Sequence, residues 1–246
     1  MDSNPVPDSI GHVPSKELKR RARDTLTSRY TVPMTAYVLS QMIVMLISLP
    51  FESALQNHPS VFQLVTSGLA MFIILLLSNV LTGGLVYIHL NLTHGKAAVL
   101  TDVLRYFSRS PERFVLSDLL FTGISLLPML PAIAITIIAV LRNTTILYTI
   151  TAIAWIITLI PLFSITLRYA LTNYLLVEEP EAGITDVFCK SRRLMEGHKM
   201  ELFFLSLSFI GMYLLSILSV GIGFLWVIPY RNQTLAEFYR NIRKET

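Results

Sequence analysis

Long apolar runs alternate with short polar stretches along nearly the whole chain, two apolar runs to each polar stretch. The runs occupy residues 32–49, 61–88, 114–141, 146–167, 200–219 and 222 to about 238. Most supply the roughly 20 apolar residues that a helix needs to cross a hydrocarbon layer. Basic, helix-forming stretches centred on residues 16–29, 96–113 and 190–199 precede the three pairs. The pattern predicts an all-α, polytopic membrane protein with six transmembrane helices arranged as three hairpins, each preceded by an amphipathic cytoplasmic interfacial helix. Residues 1–14, with prolines at 5, 7 and 14, read as a disordered cytoplasmic tail, and 15–246 as a single membrane domain. The polar lead before residue 32 is too long for a signal peptide, so the first run reads as a retained span.

Lysine and arginine set the orientation. Six precede the first run, four lie in 93–113, four in 177–199, and Arg240, Arg243 and Lys244 close the chain. With six spans all of these share one side, and only Arg142 falls on the other, which predicts cytoplasmic termini by the positive-inside rule. A single tilted helix over 202–230 would leave five spans and export the terminal cations. The two glycines in Ser219-Val220-Gly221-Ile222-Gly223 favour a turn there instead, and Pro229 should bend the short last helix.

Each basic stretch carries an apolar stripe. Leu18, Ala22 and Leu26 recur at i, i+4, i+8 behind Ser15 as a candidate N-cap. Val99, Leu100, Val103, Leu104 and Phe107 mark the second stretch, and Ile184, Val187, Phe188, Leu194 and Met195 the third. Helices of this kind lie in the headgroup plane, so Lys19, Arg20, Arg21, Arg23, Lys190, Arg192, Arg193 and Lys199 are candidate contacts for anionic lipid. The units start 80 to 90 residues apart and share Thr-Asp-Val at 101–103 and 185–187, compatible with internal repeats at 15–92, 96–177 and 183–240 or with a common need for an interfacial helix.

Polar residues inside the apolar runs are the place to look for chemistry, because burying them in lipid is costly. Arg168 ends the fourth run and can snorkel to the interface. Arg231 comes only eight residues after Gly223. Beyond it Tyr230, Gln233, Thr234 and Glu237 share a helix face at i, i+3, i+4, i+7. That face predicts a cytoplasm-facing polar vestibule, with Arg168, Asn173 and Arg231 as neighbours, unless the helix simply exits early into solvent.

Composition agrees with the pattern: 53% hydrophobic and 15% charged residues with a mean hydropathy of +0.58 exclude an ordinary soluble domain. The net charge of +4 sits beside apolar spans, which points to headgroups and away from nucleic acid. One cysteine, Cys189, rules out an internal disulfide. The five histidines are scattered, no zinc-protease, nucleophile-elbow or P-loop signature occurs, and neither a metal, a cofactor nor a catalytic residue is expected. Glu178-Glu179 begins an EExxxR pattern, but residue 183 is glycine.

The run Ser191-Arg192-Arg193-Leu194-Met195-Glu196-Gly197-His198-Lys199, then Leu207-Ser208-Phe209-Ile210-Gly211, Gly221-Ile222-Gly223-Phe224-Leu225-Trp226, Pro229-Tyr230 and Phe238-Tyr239 resembles the bacterial integral membrane family called domain of unknown function 975. Arg168-Tyr169 ahead of Glu178-Glu179-Pro180 is similar to that family too. The resemblance implies a bacterial plasma-membrane protein and carries over no activity. Two functions fit: a non-enzymatic scaffold, assembly or regulatory protein acting through its basic helices, with a possible protein partner in the membrane; or a small permease or lipid-handling protein built on the vestibule.

Overall fold

The structure, a computed structural model, describes residues 13–27, 29–53 and 60–245. The expected disordered tail therefore lies outside the described residues except for Val13 and Pro14. Every regular element among them is helical: α1 (Ser15–Leu26), α2 (Thr31–Ser53), α3 (Val61–Thr93), a 3-10 segment (Leu100–Leu104) leading into α4 (Arg105–Arg109), α5 (Pro111–Arg142), α6 (Thr145–Arg168), α7 (Thr172–Glu178), α8 (Ile184–Leu194), α9 (Lys199–Leu207), α10 (Ile210–Leu218) and α11 (Phe224–Glu245).

Local chemistry sets several of these boundaries. A capping box starts α3: Ser60 Oγ accepts from the Gln63 backbone N–H at 3.3 Å while Gln63 Oε1 accepts from the Ser60 N–H at 2.9 Å. Pro111 opens α5, where its missing N–H costs nothing. Asn143, left-handed at φ 49°, ends the same helix. In α1 the cap position falls on Pro14, so Ser15 is the first helical residue and no side chain caps the helix.

Five helical stretches are long and apolar enough to cross a membrane: Thr31–Ser53, Val61–Thr93, Pro111–Arg142, Thr145–Glu178 and Lys199–Leu218. The sixth expected run is helical too, as the start of α11, but is not among them. Its apolar part is short, and the rest of α11 is polar.

The core lies at one end of the molecule, where the basic stretches gather. There the C-terminal parts of α3, α7 and α11 bring together Val80, Leu171, Leu175, Ala236, Phe238 and Tyr239, all buried, with Tyr174 and Tyr239 stacked at 5.1 Å. The outer parts of α2, α3, α5 and α6 leave large apolar side chains exposed, among them Leu46, Phe62, Leu127 and Ile160, as suits surfaces solvated by lipid tails.

The basic stretches pack around this core. In α1, Leu18, Ala22 and Leu26 are buried at 3, 0 and 1% exposure, facing α11 and α3. In α8, Val187 and Phe188 are buried, as is Met195 just beyond it, and α7 and α5 cover that helix. The middle stretch differs. Only Val103 of its expected stripe is buried, Tyr106 takes the next inward place, and Val99, Leu100, Leu104 and Phe107 stay exposed. A 3-10 segment turns by three residues, which shifts the stripe away from the α-helical register. At Gly84 the Val103 backbone lies where a Cβ would stand, and at Gly83 the Phe114 ring does. The two Thr-Asp-Val matches occupy equivalent places: Asp102 and Asp186 are each the third residue of a helical segment, followed by a fully buried valine.

Candidate functional site

The polar half of α11 forms the axis of the basic end. Tyr230, Gln233, Thr234 and Glu237 do share one face, and α1 and α3 cover it: Gln233 and Thr234 are 0% exposed and Glu237 5%. Each polar group on that face is engaged. Gln233 Oε1 lies 2.9 Å from His89 Nδ1, and Gln233 Nε2 donates to the His89 carbonyl at 3.4 Å. An amide oxygen can only accept, so this geometry assigns the His89 proton to Nδ1. Thr234 Oγ1 donates to the Tyr230 carbonyl at 2.8 Å, Tyr230 Oη to the Lys19 carbonyl at 3.2 Å, and Thr25 Oγ1 to Glu237 Oε1 at 3.3 Å. A cavity of about 250 Å³ lined by Arg21, Glu237, Arg240, Asn241 and Lys244 reaches only the last of the four face residues.

The expected neighbours divide. Arg231 is half-buried, within electrostatic reach of Tyr174. Arg168 ends α6, its carbonyl accepting from Ser191 Oγ at 3.3 Å, while its Nε is buried with no hydrogen-bond partner among the described residues. Asn173 turns elsewhere: its Nδ2 donates to Asn79 Oδ1 at 3.1 Å, and Asn79 Nδ2 donates to the Phe114 carbonyl at 3.1 Å. It lines a second cavity, remote in composition from the α11 face.

The eight candidate lipid contacts also divide. Lys19 points inward, its Nζ donating to the Ser208 carbonyl at 2.9 Å and lying 4.2 Å from the Phe209 ring centroid. Arg20 and Arg21 share Glu17, at 2.8 and 2.9 Å, and hold its carboxyl down at about 2 by their hydrogen bonds. Lys190 pairs with Glu179 at 2.7 Å and Arg192 with Glu196 at 3.7 Å. Among the described residues, Arg23, Arg193 and Lys199 make no ion pair.

A second set of charges ties the elements of this end together. Arg243 binds Glu178 and also Glu179, the latter at 3.1 Å, and Tyr239 Oη donates to Glu178 at 2.9 Å. Arg240 Nη1 donates to the Thr93 carbonyl at 2.5 Å. Arg113 clamps the link between α7 and α8 through the carbonyls of Glu179 (3.0 Å), Ala182 (2.7 Å) and Pro180. No group of three or more His, Cys, Asp or Glu side chains that could hold a metal occurs among the described residues.

His89 reads from sequence as one of five scattered histidines suited to an interface position, Asn79 has no role there, and Arg113 enters only as a cation that sets orientation; the structure buries His89 at 2% exposure. A polar side chain deep in an apolar run signals that a partner exists, but the partners lie 144, 94 and 66 to 69 residues away, and nothing local names them.

No curated protein and no solved structure matches the chain. A family profile does, over residues 13–246, so the resemblance seen in the last third of the sequence extends to nearly all of it: the chain belongs to the DUF975 family, described as proteins of unknown function.

Proposed function

We propose that this is a non-enzymatic integral protein of the bacterial plasma membrane, with both termini cytoplasmic, whose basic end is a rigid cationic platform for anionic headgroups and for an acidic partner segment at the membrane surface. The observation that carries this reading is the division of faces in α1 and α8. Their apolar stripes are packed on the protein's own core, so what they present outward is charge, with Arg23 and Arg193 exposed and making no ion pair among the described residues. A fixed array of cations loses less entropy on meeting anions than a flexible tail does. Each lysine or arginine near an anionic leaflet contributes about 1 kcal/mol.

Six apolar segments enter the membrane as three pairs in this reading, and the third pair does not cross. Gln233 and Arg240 meet His89 and Thr93, so α11 and α3 run the same way. From that level α3 continues for 28 residues to Val61, about 42 Å, whereas α11 has only ten residues back to Gly223, about 15 Å. In a hydrocarbon layer about 30 Å thick, the turn at 219–223 then sits near mid-depth. Its backbone suits that place: the N–H groups of Val220, Gly221, Ile222 and Phe224 donate to carbonyls of the same segment, and that of Gly223 donates to Ser219 Oγ at 3.0 Å. Irregular backbone survives in lipid only when its donors are satisfied in this way. A re-entrant pair keeps both termini on one side, as six crossings would.

The permease reading has less behind it, because α1 and α3 fill the face that a vestibule would use. The deciding experiment is affinity purification from native membranes, comparing the wild type with the Arg23→Gln/Arg193→Gln/Lys199→Gln variant. A stoichiometric acidic partner or anionic lipid that is retained by the wild type and lost from the variant is expected. Equal retention by both would overturn the platform.

A further inference from the structure

A cavity of about 220 Å³ lies between the middle of α3, the first turns of α5, the α6–α7 junction and α8, and the cationic platform makes no use of it. Its walls combine two kinds of group. Asp118 supplies a carboxylate that no hydrogen bond or ion pair engages among the described residues. Phe121, Tyr169 and Phe188 supply aromatic surface, the last two with ring centroids 5.0 Å apart. Thr172, only 6% exposed, lines the same cavity with its hydroxyl unpartnered among the described residues, and the Asn79–Asn173 amide pair closes the side toward α3.

Folding has left this charge uncompensated although a cation was close at hand in sequence. Arg113, five residues earlier, turns both of its terminal nitrogens to the carbonyls of the α7–α8 link. Asp118 lies seven residues into α5, about 10 Å from its polar start, which places it at headgroup depth. A carboxylate held there with no partner among the described residues is open to a cation from outside the protein. The groups that line the cavity select what that is. A carboxylate asks for positive charge, and aromatic faces attract a soft, weakly hydrated organic cation through their quadrupoles. Asp118 is the single carboxylate among the groups that line the cavity, which leaves most of the charge of a hard divalent metal ion uncompensated.

We propose that this cavity binds a substituted ammonium group, with Asp118 as counter-ion and Phe121, Tyr169 and Phe188 as the walls around it. Two sources share that chemistry, the amine of a lipid headgroup and a free organic amine.

The test uses the full chain in nanodiscs, with choline as probe and its neutral carbon isostere, 3,3-dimethylbutanol, as control. Saturable choline binding with no binding of the isostere is expected, and Asp118→Asn should weaken it about tenfold or more, as the loss of a desolvated charge contact predicts. Phe121→Leu, which keeps the apolar volume and removes one ring, should weaken it several-fold, so the outcome does not depend on one variant folding. Choline binding that is equal in nanodiscs with and without phosphatidylethanolamine identifies a free amine. Binding that falls when that lipid is included identifies the headgroup. Equal binding of the isostere, unchanged affinity in both variants, or no saturable binding in either type of nanodisc would overturn the proposal.

Discussion

Gly84 shows how narrowly one residue can be constrained here. Its α carbon lies against the backbone of Val103, and backbone cannot rotate out of the way as a side chain can. Gly84→Ala should therefore destabilise the protein by about 1–3 kcal/mol, the usual cost of overpacking, whereas at Gly68 a Cβ meets nothing and alanine should be neutral or slightly stabilising in the helix. Thermal unfolding in detergent separates the two. The Gln233–His89 pair makes a second case. Gln233→Leu strands the His89 Nδ1–H in a site that is 2% exposed, a loss of about 1–3 kcal/mol. The double variant Gln233→Leu/His89→Leu removes both partners and should recover part of it. A double-mutant cycle that gave simple additivity would mean that the two residues are not coupled.

At the scale of elements, helix α11 carries two predictions. Single cysteines in the otherwise Cys189→Ser chain should react poorly with a membrane-impermeant thiol reagent at 233 and 234, where the face is packed, and readily at 241 and 244, beside the open cavity. A cysteine at Val220, 92% exposed at the turn, should be shielded from the same reagent on both sides of the membrane and yet reachable by a lipid-soluble maleimide. Labelling of Val220 from outside the cell would instead mean a complete crossing. How legible these elements were follows from their periodicity. The stripe Leu18, Ala22, Leu26 could be read because a regular α-helix repeats it at 3.6 residues. The middle stripe could not, because the 3-10 segment breaks that period. The face of α11 could be read as a face, but whether it met water or another helix depended on α1, 211 residues earlier in the chain.

For the molecule as a whole, the exposed apolar outer parts and the buried core of the basic end predict uneven stability. Amides in the C-terminal parts of α3 and α11 should exchange last, and those of α10 among the first. The platform carries a salt dependence as well. Enrichment of anionic lipid around the purified protein should fall as ionic strength rises from about 0.05 to 0.5 M, over which the Debye length shortens severalfold. Enrichment that is indifferent to salt would mean that the apolar residues Val99, Leu104 and Phe107, and not the cations, hold the lipid.

The sequence by itself determined the helical class and the long apolar runs suited to crossing a membrane, because length and hydropathy report the medium in which a segment is stable. It also carried the family, through motifs in the last third of the chain. Only the tertiary structure decided what each polar residue is for. Asn173 and Gln233 both interrupt apolar surroundings, but one lines a cavity with Asp118 and the other is sealed against His89. Lys19 and Arg23 stand four residues apart on one helix, but one is folded inward onto Phe209 and the other is left facing out. A local pattern says that a polar group needs a partner, whereas the identity of that partner is settled by contacts between segments far apart in the chain.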